Sequence, residues 1–222
     1  MSSRCTVVYQ NLSDNHASDV LVLLRNTRAN AAVAPPIAWQ VIRSRGHRSC
    51  QKFVHTADTR VKVAWEGRIL TADVLGGTVY AVKERDGQSV LVRAGVTVPN
   101  EMILLNDLPS PDGVDVTLYR DGKAAAVQHA LPYGAQAEFG LESTLWVALV
   151  NGVVEGETLT REVTSRPFTP IDLTGLSSLT FGLYGSHDQG YSFKTISKTI
   201  QAPAYFARPK LAMSRSAFGI SL

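Results

Sequence analysis

The chain has 222 residues, of which 45% are hydrophobic and 18% are charged, and its formal net charge is +3. A chain of this length and apolar content can bury a core of its own, which excludes a small disulfide-stapled domain and a disordered chain. The charged fraction lies below the usual level of about 25%. We therefore expect part of the surface to be covered by a partner.

The start of the chain lacks the apolar segment that a secretory signal carries. Apolar runs also fall short of the roughly 20 residues that a membrane-spanning helix needs. We expect a soluble protein that is cytoplasmic or exported by a non-classical route. Cys5 and Cys50 are too few for a disulfide framework. We expect both to be buried and reduced, with a bridge between them as the alternative.

The first third of the chain predicts strands separated by polar or proline-rich loops. Residues 5–10 alternate weakly, and the apolar run 19–25 is typical of a strand buried on both faces. A further strand is predicted at 37–42, after a small-residue loop. In 59–65 the alternation is clean, and Val61, Val63 and Trp65 should face the core.

Turn dipeptides mark the strand reversals that follow. Asp86-Gly87, Asp121-Gly122 and Asn151-Gly152 each lie between β-rich runs, and Glu66-Gly67 follows the alternating strand. Asp-Gly and Asn-Gly adopt the positive φ angles of tight hairpin turns most easily. A glycine-rich segment, 185–190, separates two more alternating runs. The hairpin strands that we predict are 68–73, 78–83 with 89–93, 114–120 with 123–128, 144–150 with 153–160, and 179–184 with 191–196.

These elements, without a convincing helix among them, predict an all-β protein, an antiparallel β-sandwich. Two tandem sandwich modules would explain a weak similarity between segments 95 residues apart. The boundaries would be 1–97 for the first module and 98–202 for the second, with 203–222 as a C-terminal arm or edge strand. A single merged domain remains the alternative.

Charge is distributed unevenly along the chain. Segment 25–62 contains eight basic residues and one acidic residue, whereas 63–197 contains nine basic and sixteen acidic residues. The densest basic feature is a loop that contains Arg43, Arg45, His47 and Arg48. Guanidinium groups bind anions through paired donors, so this loop is a candidate anion site for a glycan or another polyanion. A solvated surface loop is the alternative, and the lack of interleaved aromatic residues argues against nucleic acid.

Catalytic and metal motifs are lacking in the sequence. There is no nucleophile elbow, no phosphate-binding loop and no dinucleotide fingerprint. The acidic loop 106–115 could offer oxygen ligands to Ca²⁺, but Asp and Asn also simply favour turns. Ser186, His187 and Asp188 are adjacent in sequence, and adjacent side chains point apart, so they do not form a triad. We expect no catalytic residues, no metal and no cofactor.

The C-terminal stretch 203–222 combines apolar residues with positive charge and contains no acidic residue. It either packs on its own subunit or adds to a sheet edge of a neighbour, where main-chain hydrogen bonds would hold it. The candidate assembly residues in this stretch are Tyr205, Phe206, Arg208, Leu211 and Phe218.

The sequence therefore predicts a non-enzymatic structural or interaction protein that self-associates, as a homo-oligomer or a larger assembly. Sheet edges and charge-complementary surfaces would make the contacts. The alternative is a lectin-like module that binds carbohydrate or anions through the basic loop 43–48. A third hypothesis is a hydrolase whose site is assembled from residues far apart in sequence.

Overall fold

A computed structural model describes residues 4–28 and 35–201 of the chain. The described part contains fifteen β-strands and one short helix, α1 (Arg161–Thr164), which confirms the all-β prediction. The strands are β1 (Cys5–Asn11), β2 (Asp19–Asn26), β3 (Gln40–Ile42), β4 (Cys50–His55), β5 (Thr59–Trp65), β6 (Arg68–Val74), β7 (Thr78–Arg85), β8 (Gln88–Val96), β9 (Glu101–Asp107), β10 (Val114–Arg120), β11 (Lys123–Leu131), β12 (Gln136–Val150), β13 (Thr169–Asp172), β14 (Leu176–Ser186) and β15 (Gly190–Ile200).

These strands form three sheets. The first sheet has the order β15-β14-β1-β4, and the second has the order β11-β10-β5-β6. The third sheet has the order β3-β2-β12-β9-β7-β8, and β13 also pairs with β12. Most neighbours are antiparallel; the pairs β1–β14 and β7–β9 are parallel.

Four of the predicted hairpins are confirmed, because local turn chemistry determines each of them. β5 pairs with β6, β7 with β8, β10 with β11, and β14 with β15. Asp86 and Asp121 adopt φ angles of 52° and 54°, and the glycine after each is also at positive φ. This geometry is the one that a two-residue hairpin loop requires.

The fifth predicted hairpin is wrong. The chain only bends at Asn151-Gly152, and residues 153–160 do not pair with β12, which pairs instead with β2, β9 and β13. Val153 and Leu159 pack in a second apolar cluster on the outer side of β2. This cluster accounts for the burial of β2 on both faces, which the apolar run 19–25 predicts correctly.

One large core lies between the sheets. It contains residues from all three of them, including Val7, Val63, Leu118, Phe139 and Phe181, each no more than 2% exposed. Burial of apolar surface on this scale is the main force that holds the sheets together. The three core-facing side chains predicted on β5 are all buried, as expected.

Every sheet combines strands from both halves of the chain. The pairs β1–β14, β5–β10, β2–β12 and β7–β9 each join a strand from 1–97 to a strand from 98–202. Strand pairing therefore runs across the predicted boundary between residues 97 and 98 in every sheet. No helix in the described ranges has the length and apolar character needed to cross a membrane.

The two cysteines behave differently from each other. Both are free thiols, so the alternative of a bridge is wrong, and Cys5 is buried as predicted. Cys50 is exposed, which corrects the prediction that both are buried. Its position explains the exposure, because it begins the edge strand β4 directly after the basic loop, with its side chain on the outer face.

Candidate functional site

The predicted basic loop connects β3 to β4 at one end of the first sheet. The side chain of Asn11, itself buried, fastens it: Nδ2 donates to the carbonyl of Gly46 at 3.0 Å and to that of Asn15 at 2.7 Å. The backbone N–H of Arg48 donates to the Asn11 carbonyl at 2.7 Å. His47 Nδ1 lies 3.0 Å from the Ser13 carbonyl. The loop is therefore held in one conformation by buried polar groups.

The four predicted anion-binding residues of this loop are not equivalent. Arg43 forms an ion pair with Asp19, whose other oxygen accepts the backbone N–H of Ser44 at 2.8 Å. The side chains of Arg45 and Arg48 are exposed and form no ion pair with any described residue. Arg48 also has a φ of 63°, which is uncommon for a residue other than glycine.

A second candidate feature lies at the opposite end of β1 and β4. Five strand residues separate the basic loop from it, a distance of roughly 17 Å. It is a cavity of about 470 Å³ to which all three sheets contribute. Its lining is Cys5, His55, Thr56, Ala57, Thr59, Gly76, Pro99, Asn100, Glu101, Met102, Leu118, Arg120, Phe139, Ser143, Leu173, Thr174, Gly175 and Leu176.

Strand alternation places ionisable side chains in this cavity. On β10, Val114, Val116 and Leu118 are buried, and Arg120, which is half-buried, continues this inward-facing series. On β4 the last residue, His55, is buried and lies directly opposite Cys5 of β1. An inward-facing guanidinium on a central strand is unusual, because burial of a charge is costly unless it is paired.

Asp121 connects the two strands that carry His55 and Arg120. It is the first residue of the β10–β11 turn, and its carboxylate accepts the backbone N–H and the hydroxyl of Thr56, which follows β4. Its Oδ2 also lies 3.1 Å from His55 Nδ1. This contact does not meet the geometric criteria of a hydrogen bond, so Nδ1 is buried without a hydrogen-bond partner among the described residues.

Arg120 is only partly satisfied by its surroundings. Its Nη1 donates to the Thr56 carbonyl at 3.3 Å, but its Nε is buried and has no hydrogen-bond partner within the described ranges. Burial lowers the pKa of the guanidinium, while the charges of Asp121 and Asp58 act in the opposite direction. Trp39 fixes the backbone at this point, because its Nε1 donates to the Arg120 carbonyl at 3.1 Å.

The neighbouring Cys5, His55 and Asp121 do not form a nucleophilic site. The Cys5 thiol is directed to the carbonyl of Thr6, 3.9 Å away, rather than to the imidazole. Burial also raises the pKa of this thiol, whereas a nucleophilic cysteine needs a lowered one. Neither the direction of the Cys5 thiol nor the shift of its pKa is that of a nucleophilic cysteine.

The other residues considered from the sequence have structural contacts. In the acidic loop 106–115, Asn106 is fully buried, and its side chain bonds the backbone of Leu131 and Leu108, as in a structural turn. His187 lies in the β14–β15 turn, and its backbone N–H donates to Asp14. No group of three metal-ligating side chains is found within residues 4–28 and 35–201. The candidate assembly residues Tyr205, Phe206, Arg208, Leu211 and Phe218 lie outside the described residues.

Sequence reasoning missed the cavity residues, although one signal was present. Val114, Val116 and Leu118 have the parity of a core-facing series, and the next residue of that parity is Arg120. The proximity of His55 to Arg120 has no such signal in the sequence, because it depends on how the first sheet packs against the second.

Comparisons with protein-family models, curated proteins and solved structures found no match to this chain.

Proposed function

We propose that this is a non-enzymatic interaction protein that self-associates through a sheet edge. The observation that supports it is β15, an edge strand of eleven residues that is exposed along most of its length. Nothing within the described residues pairs with its outer edge. Ile196 and Ile200 on this strand are 41% and 73% exposed. A long edge strand with exposed apolar residues is a template for pairing with another chain.

Charge complementarity would add to the edge contact. Segment 25–62 and residues 198–222, which include the end of β15 and the C-terminal stretch, are basic, whereas 63–197 has an excess of seven acidic residues. Opposite-sign surfaces accelerate the encounter of two copies and define their orientation, and salt weakens both effects. The C-terminal stretch 203–222 begins shortly after β15 ends at Ile200, and so close in sequence to the proposed contact.

Light scattering of the Ile200→Lys variant at micromolar concentration would test the proposal. A lysine on an edge strand opposes pairing with another strand. The variant also removes an isoleucine contact that would be buried between two copies, so association should weaken about tenfold or more. The matched control is Ile69→Lys, which adds the same charge at a site of similar exposure on β6. Equal association of the wild-type chain and the Ile200→Lys variant would refute the role of β15.

Shortening the chain to end at Ala202 distinguishes two roles of the C-terminal stretch. If the stretch bridges two copies, the shortened chain should associate more weakly than the full chain. If it packs on its own subunit, its removal should leave association unchanged or strengthen it. Monomers for both chains in low salt would contradict self-association altogether.

A second candidate function is binding of a glycan or another polyanion by the basic loop. It is favoured by the hydrogen bond that anchors the loop to Asn11 and by the exposed guanidinium groups of Arg45 and Arg48, which form no ion pair with any residue that the structure describes. Binding to a sulfated glycan such as heparin should fall in an Arg45→Ala, Arg48→Ala double variant. It should change less in Arg43→Ala, because Arg43 is already paired with Asp19. Unchanged binding in the double variant would remove this function.

A further inference from the structure

We propose that the cavity between the three sheets binds a small organic carboxylate. The carboxylate would meet Arg120 and His55, and the apolar remainder of the molecule would lie against Met102, Leu118 and Phe139. This site is distinct from the edge of β15 and from the basic loop, and it does not depend on either proposed function.

The unpartnered polar atoms supply the first reason. Arg120 Nε is a buried donor without an acceptor among the described protein groups, and the His55 side chain is only 6% exposed. A buried donor that lacks an acceptor costs free energy, and more so when it is charged. Because the Nδ1 side of His55 faces Asp121, the opposite ring nitrogen, Nε2, is the one available to a ligand. Arg120 lines the cavity, so a carboxylate there would lie against its guanidinium. A small shift of the side chain would bring Nε, which has no accessible surface of its own, to an acceptor oxygen.

The charge balance supplies the second reason. Burial affects the Arg120 guanidinium more strongly than the nearby carboxylates of Asp121 and Asp58 do, so an added negative charge would stabilise it. Glu101 lines the same cavity, although it is paired with Arg28. These carboxylates would repel a dianion such as phosphate more strongly than a monoanion, so the charges favour a monoanionic carboxylate as the ligand.

The third reason is the shape and chemistry of the remaining wall. Cavities of about 300–1,000 Å³ with apolar walls and a few polar groups are typical of small-molecule sites. The volume of about 470 Å³ is within this range. The apolar side of the lining consists mainly of Met102, Leu118, Phe139, Leu173 and Leu176. These side chains would hold an alkyl or aromatic body while the polar end fixes its orientation.

A titration with octanoate and 3-phenylpropanoate, each compared with its primary amide, would test the inference on the full chain. The readout is the side-chain Nε–Hε signal of Arg120 in a proton–nitrogen correlation spectrum. We expect the acids, and not the amides, to shift this signal at millimolar concentration. An unmoved Arg120 signal, or equal shifts by acids and amides, would overturn the proposal.

The variant Arg120→Lys tests whether the ligand requires the guanidinium group itself or only a positive charge in the cavity. Lysine keeps the charge but loses the planar donor group, so we expect affinity for the acids to fall about tenfold or more. Arg48→Lys, at the other end of the first sheet, should leave affinity unchanged. Retained affinity in Arg120→Lys would contradict the site. If that variant does not fold, the spectrum of the wild-type chain still decides the question.

Discussion

Replacement of Asp121 by alanine should destabilise the fold far more than the same change in the equivalent turn at Asp86. Both residues begin an Asp-Gly hairpin turn, with φ angles of 54° and 52°. They differ in what the carboxylate contacts. The Asp121 side chain is 12% exposed and holds the connection after β4, whereas the Asp86 side chain is 93% exposed.

The magnitude follows from the contacts that are lost. Asp121 accepts the backbone N–H of Thr56 at 2.9 Å and also its hydroxyl. A hydrogen bond to a charged group contributes about 1.5–3 kcal/mol, and alanine at positive φ costs about 1–2 kcal/mol. We expect Asp121→Ala to lower the free energy of unfolding by about 2.5–5 kcal/mol. Asp86→Ala should lower it by about 1–2 kcal/mol, the backbone cost alone.

Urea unfolding, followed by circular dichroism and by tryptophan fluorescence, would measure both values. Asp121→Asn is the third variant, since asparagine tolerates the same φ and keeps one acceptor oxygen; it should lose about 1–2 kcal/mol. If Asp121→Ala and Asp86→Ala differ by less than about 0.5 kcal/mol, within the range of ordinary surface changes, the carboxylate does not hold the two strands together.

Three further predictions concern the core, the titration of a buried tyrosine and the thiols. Gly113→Ala should be strongly destabilising in thermal unfolding, because the added Cβ would lie 2.6 Å from the Leu131 carbonyl oxygen. The control Gly122→Ala would place its Cβ within 4 Å of no described atom, so its free energy of unfolding should fall by only about 1–2 kcal/mol. Equal losses in the two variants would contradict this. Burial raises the pKa of Tyr9 to about 12. The stability that this shift contributes is complete below the pKa of about 10 in the unfolded chain, and it is lost as the pH rises towards the pKa in the folded chain. A Tyr9→Phe variant with the same alkaline stability profile as the wild-type chain would refute this prediction. Exposed Cys50 should react with a thiol reagent at least about tenfold faster than buried Cys5 in the folded chain, and both at similar rates in denaturant; equal rates in the folded chain would be inconsistent with the structure.

Local signals account for the part of the fold that the sequence predicts correctly. The Asp-Gly turns identify hairpins because positive φ is determined by two adjacent residues, and alternation in β5 identifies its buried face. The Asn151-Gly152 turn misled the prediction for a physical reason. A turn fixes the direction of the chain, but the partner of β12 is chosen by apolar packing with β2, more than a hundred residues away.

The candidate site was harder to predict, because distant pairings build it. His55 and Arg120 come together because the chain leaves the first sheet after β4 to enter the second sheet at β5, and Asp121 binds Thr56 in this connection. The basic loop, in contrast, is visible in sequence as a local charge cluster. Its anchoring by Asn11 is not visible there, since a polar residue at the end of a strand gives no sign of what it bonds.

Hydrogen exchange of the β15 amides at two protein concentrations tests the proposed self-association most directly. The amides of β15 that point away from β14 have no strand partner in the described part of a single chain. Pairing with a second copy would protect them. We expect these amides to exchange more slowly as the concentration rises, with those on β6 unchanged. Equal, rapid exchange of the β15 amides at both concentrations would contradict association through this edge.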